Sequence, residues 1–276
     1  MIKCIFTNIK NENRYLEEWL NWHIKLGFNK FILYEDKNSQ SHDEIINKYH
    51  KIIDIDFYTD VLYANSLETK DIICFKHLIE NYNDIDWLIK LDPDEYIKLP
   101  GNKTIDDILY NVDENINQIT IDWRIYNANG FIKCPYSGSY SLVDTYIDDI
   151  NREGLVSDFN VDISDNEYDW GKTLLRYSYF YKEFRNDINN VISTNFPYQF
   201  YIDIEEHILD GTKEYGMLIN HYITKSFEEY YNKISYRGDY RKNHRTLGDF
   251  FIINPDMIKD IPEIEEEFKI NIFEER

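Results

Sequence analysis

Apolar and polar positions alternate between two periods along the first hundred residues. Ile2 to Thr7 is a short apolar run that suits a buried strand, and Asn11 to Asn13 break it. From Arg14 to Leu26 the residues Leu16, Trp19, Leu20, Ile24 and Leu26 recur at helical spacing, with Gly27 placed as a C-cap. Phe28 to Tyr34 reads as a second strand and ends in the polar turn Glu35-Asp36-Lys37-Asn38-Ser39. His42 to Tyr49 reads as a helix, Lys51 to Tyr58 as a strand, residues 66–81 as a helix and Trp87 to Leu91 as a fourth strand. Such alternation predicts an α/β fold with a mostly parallel sheet and helices on its faces.

Beyond residue 100 the pattern loosens. Thr104 is placed to cap a helix over Ile105 to Tyr110, and Gln118 to Trp123 has the pattern of a strand. Residues 124–170 are irregular and rich in Asn, Asp, Gly, Ser and Tyr; a loop-rich stretch of that length points to function. Thr173 to Phe180 alternates as a strand, and Tyr215 to Asn220 as another, running into His221-Tyr222. Ser226 with Glu229 forms a capping box for a helix through about Ser235. With no repeat and no flexible linker, the expected organisation is one domain over 1–240, in two halves at 1–100 and 101–240. A short helical extension over 241–276 follows as a candidate dimer contact.

Charge narrows the partners. The formal net charge is −21 over 276 residues, spread along the chain, so the surface repels nucleic acid and anionic membranes. An anionic ligand would then need a divalent cation or a few placed Lys and Arg. Cys4, Cys74 and Cys134 are far apart and lack CxxC spacing, which predicts reduced thiols, two of them in the core, and no zinc site. The chain opens into a strand pattern without a signal peptide, and no run of about 18 apolar residues exists to span a membrane. The expected location is cytoplasmic. The 24 tyrosines suit sugar-binding surfaces, although a bias towards Ile, Asn, Lys and Tyr through AT-rich codons accounts for most of them.

The candidate chemistry lies in Asp92-Pro93-Asp94-Glu95. In open α/β sheets ligands bind at the carboxyl ends of strands, and Thr7-Asn8, Glu35-Asp36, Asp92-Asp94 and His221 all fall at such ends. Asp54-Ile55-Asp56 and Asp84-Ile85-Asp86 share the D-x-D spacing, but only the cluster at 92–95 follows directly on a buried strand. A turn at Pro93 would gather both aspartates, one to ligate Mn²⁺ or Mg²⁺ and the other to take a ribose hydroxyl or a metal-bound water. A metal there would stabilise a departing diphosphate as a Lewis acid.

These segments resemble a known family. Lys10-Asn11-Glu12, Tyr15-Leu16-Glu17-Glu18-Trp19-Leu20, His23, Gly27 and Tyr34 are similar to the opening of GT-A glycosyltransferases of the family 2 and family 92 type. Trp87 through Tyr96 resembles that family's acidic segment, and Asp122-Trp123-Arg124 with Gly130 its "WR" stretch. Gly171-Lys172-Thr173 with Arg176, and Asn220-His221-Tyr222, Lys225-Ser226, Lys233 and Arg237-Gly238, continue the match in order. Pro93 stands where an aliphatic residue is usual, and Glu35-Asp36 where Asp-Asn is usual.

The resemblance implies a GT-A fold and transfer of a hexose from a nucleotide-diphosphate sugar, most often a UDP-sugar, to a hydroxyl on a glycan or protein. It makes 1–100 the nucleotide-sugar half and 101–240 the acceptor half, with Mn²⁺ or Mg²⁺ as cofactor. By the same resemblance Thr7, Asn11 and Glu12 lie on the nucleotide side, Glu35 or Asp36 near base or ribose, and Asp92 at the ribose. Asp94 ligates the metal, and His221 is a further ligand or a diphosphate contact. Lys70, Lys172, Lys225 and Arg237 are candidate phosphate contacts. An inverting transfer, the expectation here, needs a base; Asp169 comes first, ahead of Asp203, Glu205, Glu206 and His207. His23 reads as structural, packed by Trp19 and Trp22. Trp123 and Trp170 suit an acceptor sugar or the core, and Arg124 suits a surface ion pair. Two other functions fit an acidic α/β site: a nucleotidyltransferase acting on a sugar phosphate, and a non-catalytic sugar-nucleotide or glycan-binding module. The segment Thr7 to Glu12 has no Gly-rich phosphate loop, which counts against the first.

Overall fold

A computed structural model describes residues 1–62, 70–135, 141–148, 171–184, 207–235 and 246–272. The chain forms two compact units, residues 1–123 with 165–219, and residues 124–164 with 220–276.

The first unit opens as the apolar pattern predicts. Strand β1 (Lys3–Ile9), helix α1 (Leu16–Leu26), β2 (Lys30–Glu35), α2 (Asp43–Tyr49), β3 (Asp54–Tyr58), α3 (Lys70–Asn81) and β4 (Trp87–Lys90) follow one another. Gly27 ends α1 at φ 101°, the left-handed cap that a side chain would strain. β5 (Glu95–Lys98) and α4 (Ile105–Leu109) come next, and Thr104 caps α4 in a capping box with Asp107. β6 (Gln118–Ile125), β7 (Gly171–Arg176), α5 (Tyr177–Phe184), β8 (Ile208–Asp210), α6 (Gly211–Tyr215) and β9 (Leu218–His221) complete the series.

Among the described residues the sheet runs β3-β2-β1-β4-β7-β6-β9-β5, with β8 beside β6. β1 pairs in parallel with β2 and β4, and β2 with β3; β7 lies antiparallel to both β4 and β6. The α/β fold with a largely parallel sheet is therefore the one the sequence predicts. The register sets Ile9 beside Glu35 and Phe6 beside Lys90, so the loops after β1, β2 and β4 leave the sheet on one edge. The chain continues from β1 to β2 and β3 on one side and returns to β4 on the other, the kind of reversal at which open sheets bind ligands.

Burial explains the elements. Cys4, Phe6, Ile32, Tyr34, Cys74, Phe75, Leu78, Leu88, Leu175 and Tyr177 share one apolar cluster between the sheet and α3. Cys4 and Cys74 are buried in it as free thiols, and Cys134 is a partly exposed one. Gly171 opens β7 against the backbone of β6: a Cβ there would lie 2.1 Å from the Ile121 carbonyl oxygen.

Two strand expectations need correction. Thr173 to Phe180 is not one strand; β7 stops at Arg176 and Tyr177 begins α5. The alternation of Tyr177, Ser178, Tyr179 and Phe180 fits period 2, but Tyr177 and Phe180 also share a helical face, and both are buried in the cluster. The Tyr177 hydroxyl donates to the Tyr82 carbonyl at 2.9 Å, which favours the helix. Likewise Tyr215 ends α6 rather than opening a strand, and Gly216 caps that helix at φ 66°.

The described residues of the second unit include α7 (Phe227–Ser235), α8 (Leu247–Ile253), a 3₁₀ turn (Pro255–Asp260) and α9 (Ile261–Phe268). The predicted capping box is present: Ser226 Oγ donates to Glu229 Oε2 at 2.8 Å and accepts the Glu229 N–H at 3.3 Å. The Phe227 ring meets Phe250 at 5.1 Å and Phe268 at 5.2 Å, so the helices after residue 240 are built into a core with α7. No helix among the described residues is long and apolar enough to cross a membrane.

Candidate functional site

The turn after β4 is self-bonded. The Asp92 carbonyl accepts the Glu95 N–H at 2.9 Å, and the Asp92 N–H donates to Glu95 Oε2 at 2.8 Å. Pro93 fits between them because the turn asks no N–H of it. Two lysines then close on Asp92. Lys90, two residues back along the chain, donates to Oδ1 at 2.5 Å, and Lys172 from the neighbouring β7 donates to Oδ2 at 3.1 Å. Lys172 Nζ also lies 3.4 Å from Glu95 Oε1 and 5.4 Å from the centre of the Trp123 ring.

Both lysine side chains are mostly enclosed, Asp92 is half-buried and Glu95 is wholly buried. Burial drives the Glu95 carboxyl up, Lys172 pulls it down and Asp92 pushes it up again, leaving it at about 7. Burial also raises Asp92, but Lys172 and Lys90 outweigh it and hold that carboxyl well below the usual carboxylate range. Helix α1 supports the turn from behind. Trp19 Nε1 donates to the Glu95 carbonyl at 3.0 Å and Trp22 Nε1 to the Ile97 carbonyl at 2.7 Å. His23 accepts the Ile97 N–H on Nε2 at 3.3 Å and meets the Trp19 carbonyl through Nδ1 at 2.8 Å. Its burial lowers the imidazole to about 3, so this histidine is a neutral structural residue. The motif on α1 and the acidic motif after β4 are thus two parts of one construction.

The loops after β1 and β2 form a second acidic group. Thr7 is wholly buried on β1, and Glu12 is buried where its carbonyl accepts the Tyr15 and Leu16 N–H groups, each at 2.9 Å. Asn11, at φ 57°, knits the two loops: its N–H donates to Ser39 Oγ at 2.8 Å and its Oδ1 accepts from the Gln40 N–H at 2.7 Å. Asp36 accepts from the Asn38 N–H at 2.9 Å and pairs with the Lys70 ammonium. Burial raises the Asp36 carboxyl, but the bonds from Lys70 and Asn38 outweigh it and bring it below its ordinary value. Glu35 Oε1 receives both the backbone N–H and Nδ1 of His42, at 3.0 and 2.6 Å.

The structure therefore brings together Asp92 with Lys172, and Asn11, Glu12, Glu35, Asp36 and Lys70 around the neighbouring loops. His221 and Lys225 belong to the second unit. His221 is buried at the end of β9, where its carbonyl accepts the Tyr126 N–H at 3.0 Å, and Lys225 is buried at φ 54° just ahead of α7. Asp169, Trp170, Asp203, Glu205, Glu206, Arg237 and Gly238 lie outside the described residues. Two participants were missed in the sequence. Lys90 carried a usable signal, since i and i+2 on an extended segment share a face with Asp92. His42 carried none, since it reads as the first residue of a helix.

Among the described residues no three His, Cys, Asp or Glu side chains converge as an all-protein metal cage would require. Mn²⁺ or Mg²⁺ carried by a diphosphate needs only one or two carboxylates, with phosphate and water oxygens completing the shell. Asp94 is buried in the same turn, and both Asp92 oxygens are engaged by lysines.

Comparison with known proteins finds relatives. A family 92 glycosyltransferase of Oryza sativa subsp. japonica is 25% identical over 138 residues, covering 49% of this chain and 23% of that protein. One from Ricinus communis is 24% identical over 139 residues, covering 49% and 24%. Its sequence relatives are family 92 glycosyltransferases. The resemblance carried by the motifs is thereby borne out. The chain spans about a quarter of the length of these relatives. No family model matches the chain. Among solved structures, Staphylococcus aureus TarS residues 1–349 aligns over 99% of this chain and 76% of its own, at 14% identity and a TM-score of 0.46. The same protein in complex with UDP aligns over 57% and 48%, at 18% identity and a TM-score of 0.36.

Proposed function

We propose that this chain is a glycosyltransferase module that moves a hexose from a UDP-sugar to a hydroxyl of a glycan or protein, with inversion and with Mn²⁺ or Mg²⁺. The observation that carries the reading is the placement of two acidic groups on one edge of the sheet. Glu35-Asp36 after β2 and Asp92-Glu95 after β4 flank β1 at the carboxyl ends of the strands, where open sheets bind ligands. The relatedness to family 92 supports the same reading.

In this scheme Asn11, Glu12, Glu35 and Asp36 face the nucleoside, and Lys70 lies near it. Asp94 would hold the metal, which would stabilise the leaving diphosphate as a Lewis acid. Lys172 is the phosphate-side cation of the first unit. Lys90 and Lys172 keep Asp92 ionised and fixed, so that it can accept a ribose hydroxyl without moving. Asp169 is the proposed base for the acceptor hydroxyl.

UDP with Mn²⁺ should raise the melting temperature, and Asp94→Ala should lose most of that rise. Absence of any shift with every nucleoside diphosphate, with and without metal, would sink the reading. Release of UDP from a panel of UDP-sugars names the donor. A second reading draws on the lysines that engage both Asp92 oxygens: a module that binds a sugar nucleotide without turning it over. Binding without nucleotide release across the panel would favour it.

A further inference from the structure

His42 is fully enclosed at the strand ends and has a defined tautomer. Its side chain has no exposed surface. Nε2 receives the backbone N–H of Glu12 at 3.0 Å, and an amide N–H can only donate, so Nε2 carries a lone pair. The ring proton therefore sits on Nδ1, 2.6 Å from Glu35 Oε1. A doubly protonated ring would set an N–H against the Glu12 N–H. The His42 backbone N–H donates to the same Oε1 at 3.0 Å. Among the described residues no hydrogen bond reaches Glu35 Oε2, and the side chain keeps 12% of its surface open.

We infer that His42 is a positioning residue for donor binding: it locks Glu35 through Oε1, so that Oε2 faces a hydrogen-bond donor of the nucleoside, a ring N–H or a ribose hydroxyl. The same ring pins the loop after β1 through the Glu12 amide. One imidazole thus ties together the two loops proposed to hold the nucleoside, and it fixes the rotation of the carboxylate between them. Desolvating a carboxylate already held in place costs less ordering on binding than capturing a mobile one. The inference rests on the donor-binding reading above.

Two amides separate the ring's two bonds. Asparagine sets its amide nitrogen near the place of Nδ1, and glutamine reaches the place of Nε2. UDP with Mn²⁺ is titrated into the wild type, H42N, H42Q and H42A, and exchange of the residue-12 amide is followed in each. H42N should keep UDP affinity within about threefold while that amide loses protection; H42Q should keep the protection and lose affinity roughly tenfold, the scale of one hydrogen bond to a charged group. H42A should lose both. With an active donor, H42Q should raise KM and leave kcat in place.

UDP affinity that is unchanged in all three variants, or that merely follows their stability, would overturn the inference while the donor-binding reading stands. Failure of the wild type to bind UDP, GDP, ADP or CDP would overturn both. If a variant does not fold, nitrogen NMR of the wild-type ring decides: an Nδ1–H tautomer whose Nδ1 resonance moves on saturation with UDP supports the role. An Nε2–H tautomer, or a ring signal indifferent to UDP, overturns it.

Discussion

The turn after β2 and the turn after β4 flank the same strand and each bring acids to its edge, but their charges are managed differently. After β4, Asp92 and Glu95 are met by two mostly enclosed ammoniums, from Lys90 and Lys172. After β2, Glu35 is met by a neutral imidazole and Asp36 by a lysine that keeps 41% of its side-chain surface exposed. The first arrangement resists change because every removal strands a buried charge. In the second the acids are themselves mostly enclosed, with 12% of the Glu35 and 6% of the Asp36 side chain open, and it is the lysine that reaches water. Acidic residues at a strand end are thus not one kind of feature, and the cations behind them decide which kind each is.

The contrast is most exposed to Lys172→Met. Removing that ammonium leaves Glu95 buried beside Asp92, and unfolding by urea should show a loss of about 3 kcal/mol, the low end for breaking a buried pair because Asp92 is only half-buried. A loss below about 1 kcal/mol would put this pair in the class of surface ion pairs and dissolve the comparison. Next comes Trp19→Phe. It removes the donor to the Glu95 carbonyl and some buried volume, for about 2 kcal/mol by the same measurement. Amide exchange should rise in β5 and stay unchanged at Asn38, in the other turn.

Glu95→Gln sharpens the comparison through pH. Glu95 titrates at about 7 in the folded chain against an ordinary 4.5, so between these values the folded state holds more protons than the unfolded one. Its contribution is complete below 4.5 and is lost as pH rises through 7. The difference in urea midpoint between wild type and Glu95→Gln should move against the wild type across that window and level off above it. A flat difference would mean that Lys172 keeps Glu95 ionised throughout. The smallest effect belongs to Lys70→Ala, about 1 kcal/mol in a thermal melt, because the ammonium is part-exposed and the enclosed Asp36 keeps the Asn38 N–H.

Much of the first unit was legible in the sequence. The apolar spacing from Leu16 to Leu26, the cap at Gly27 and the capping box at Thr104 are local rules, and local rules survive folding. Tyr177 to Phe180 was not legible, because four residues fit both periods and only the Tyr82 carbonyl and the apolar cluster choose between them. The acidic motif could be found, but its state could not. Lys172 lies 80 residues from Asp92, and only the pairing of β4 with β7 makes them neighbours. The role of His42 depends on two loops meeting, which no single stretch of sequence records.

Gly171 has no chemistry of its own, yet it governs where a chemical group can stand. Its missing side chain lets β7 press against the Ile121 carbonyl, and the next residue is the lysine that reaches both acids. Alanine there would collide with backbone on the neighbouring strand, which has no rotamer to change. A mutational scan of the strand should therefore find its least tolerant codon one place before the ammonium, at a residue with no side chain to offer either acid. Any attempt to graft this lysine arrangement onto another scaffold must carry the glycine with it.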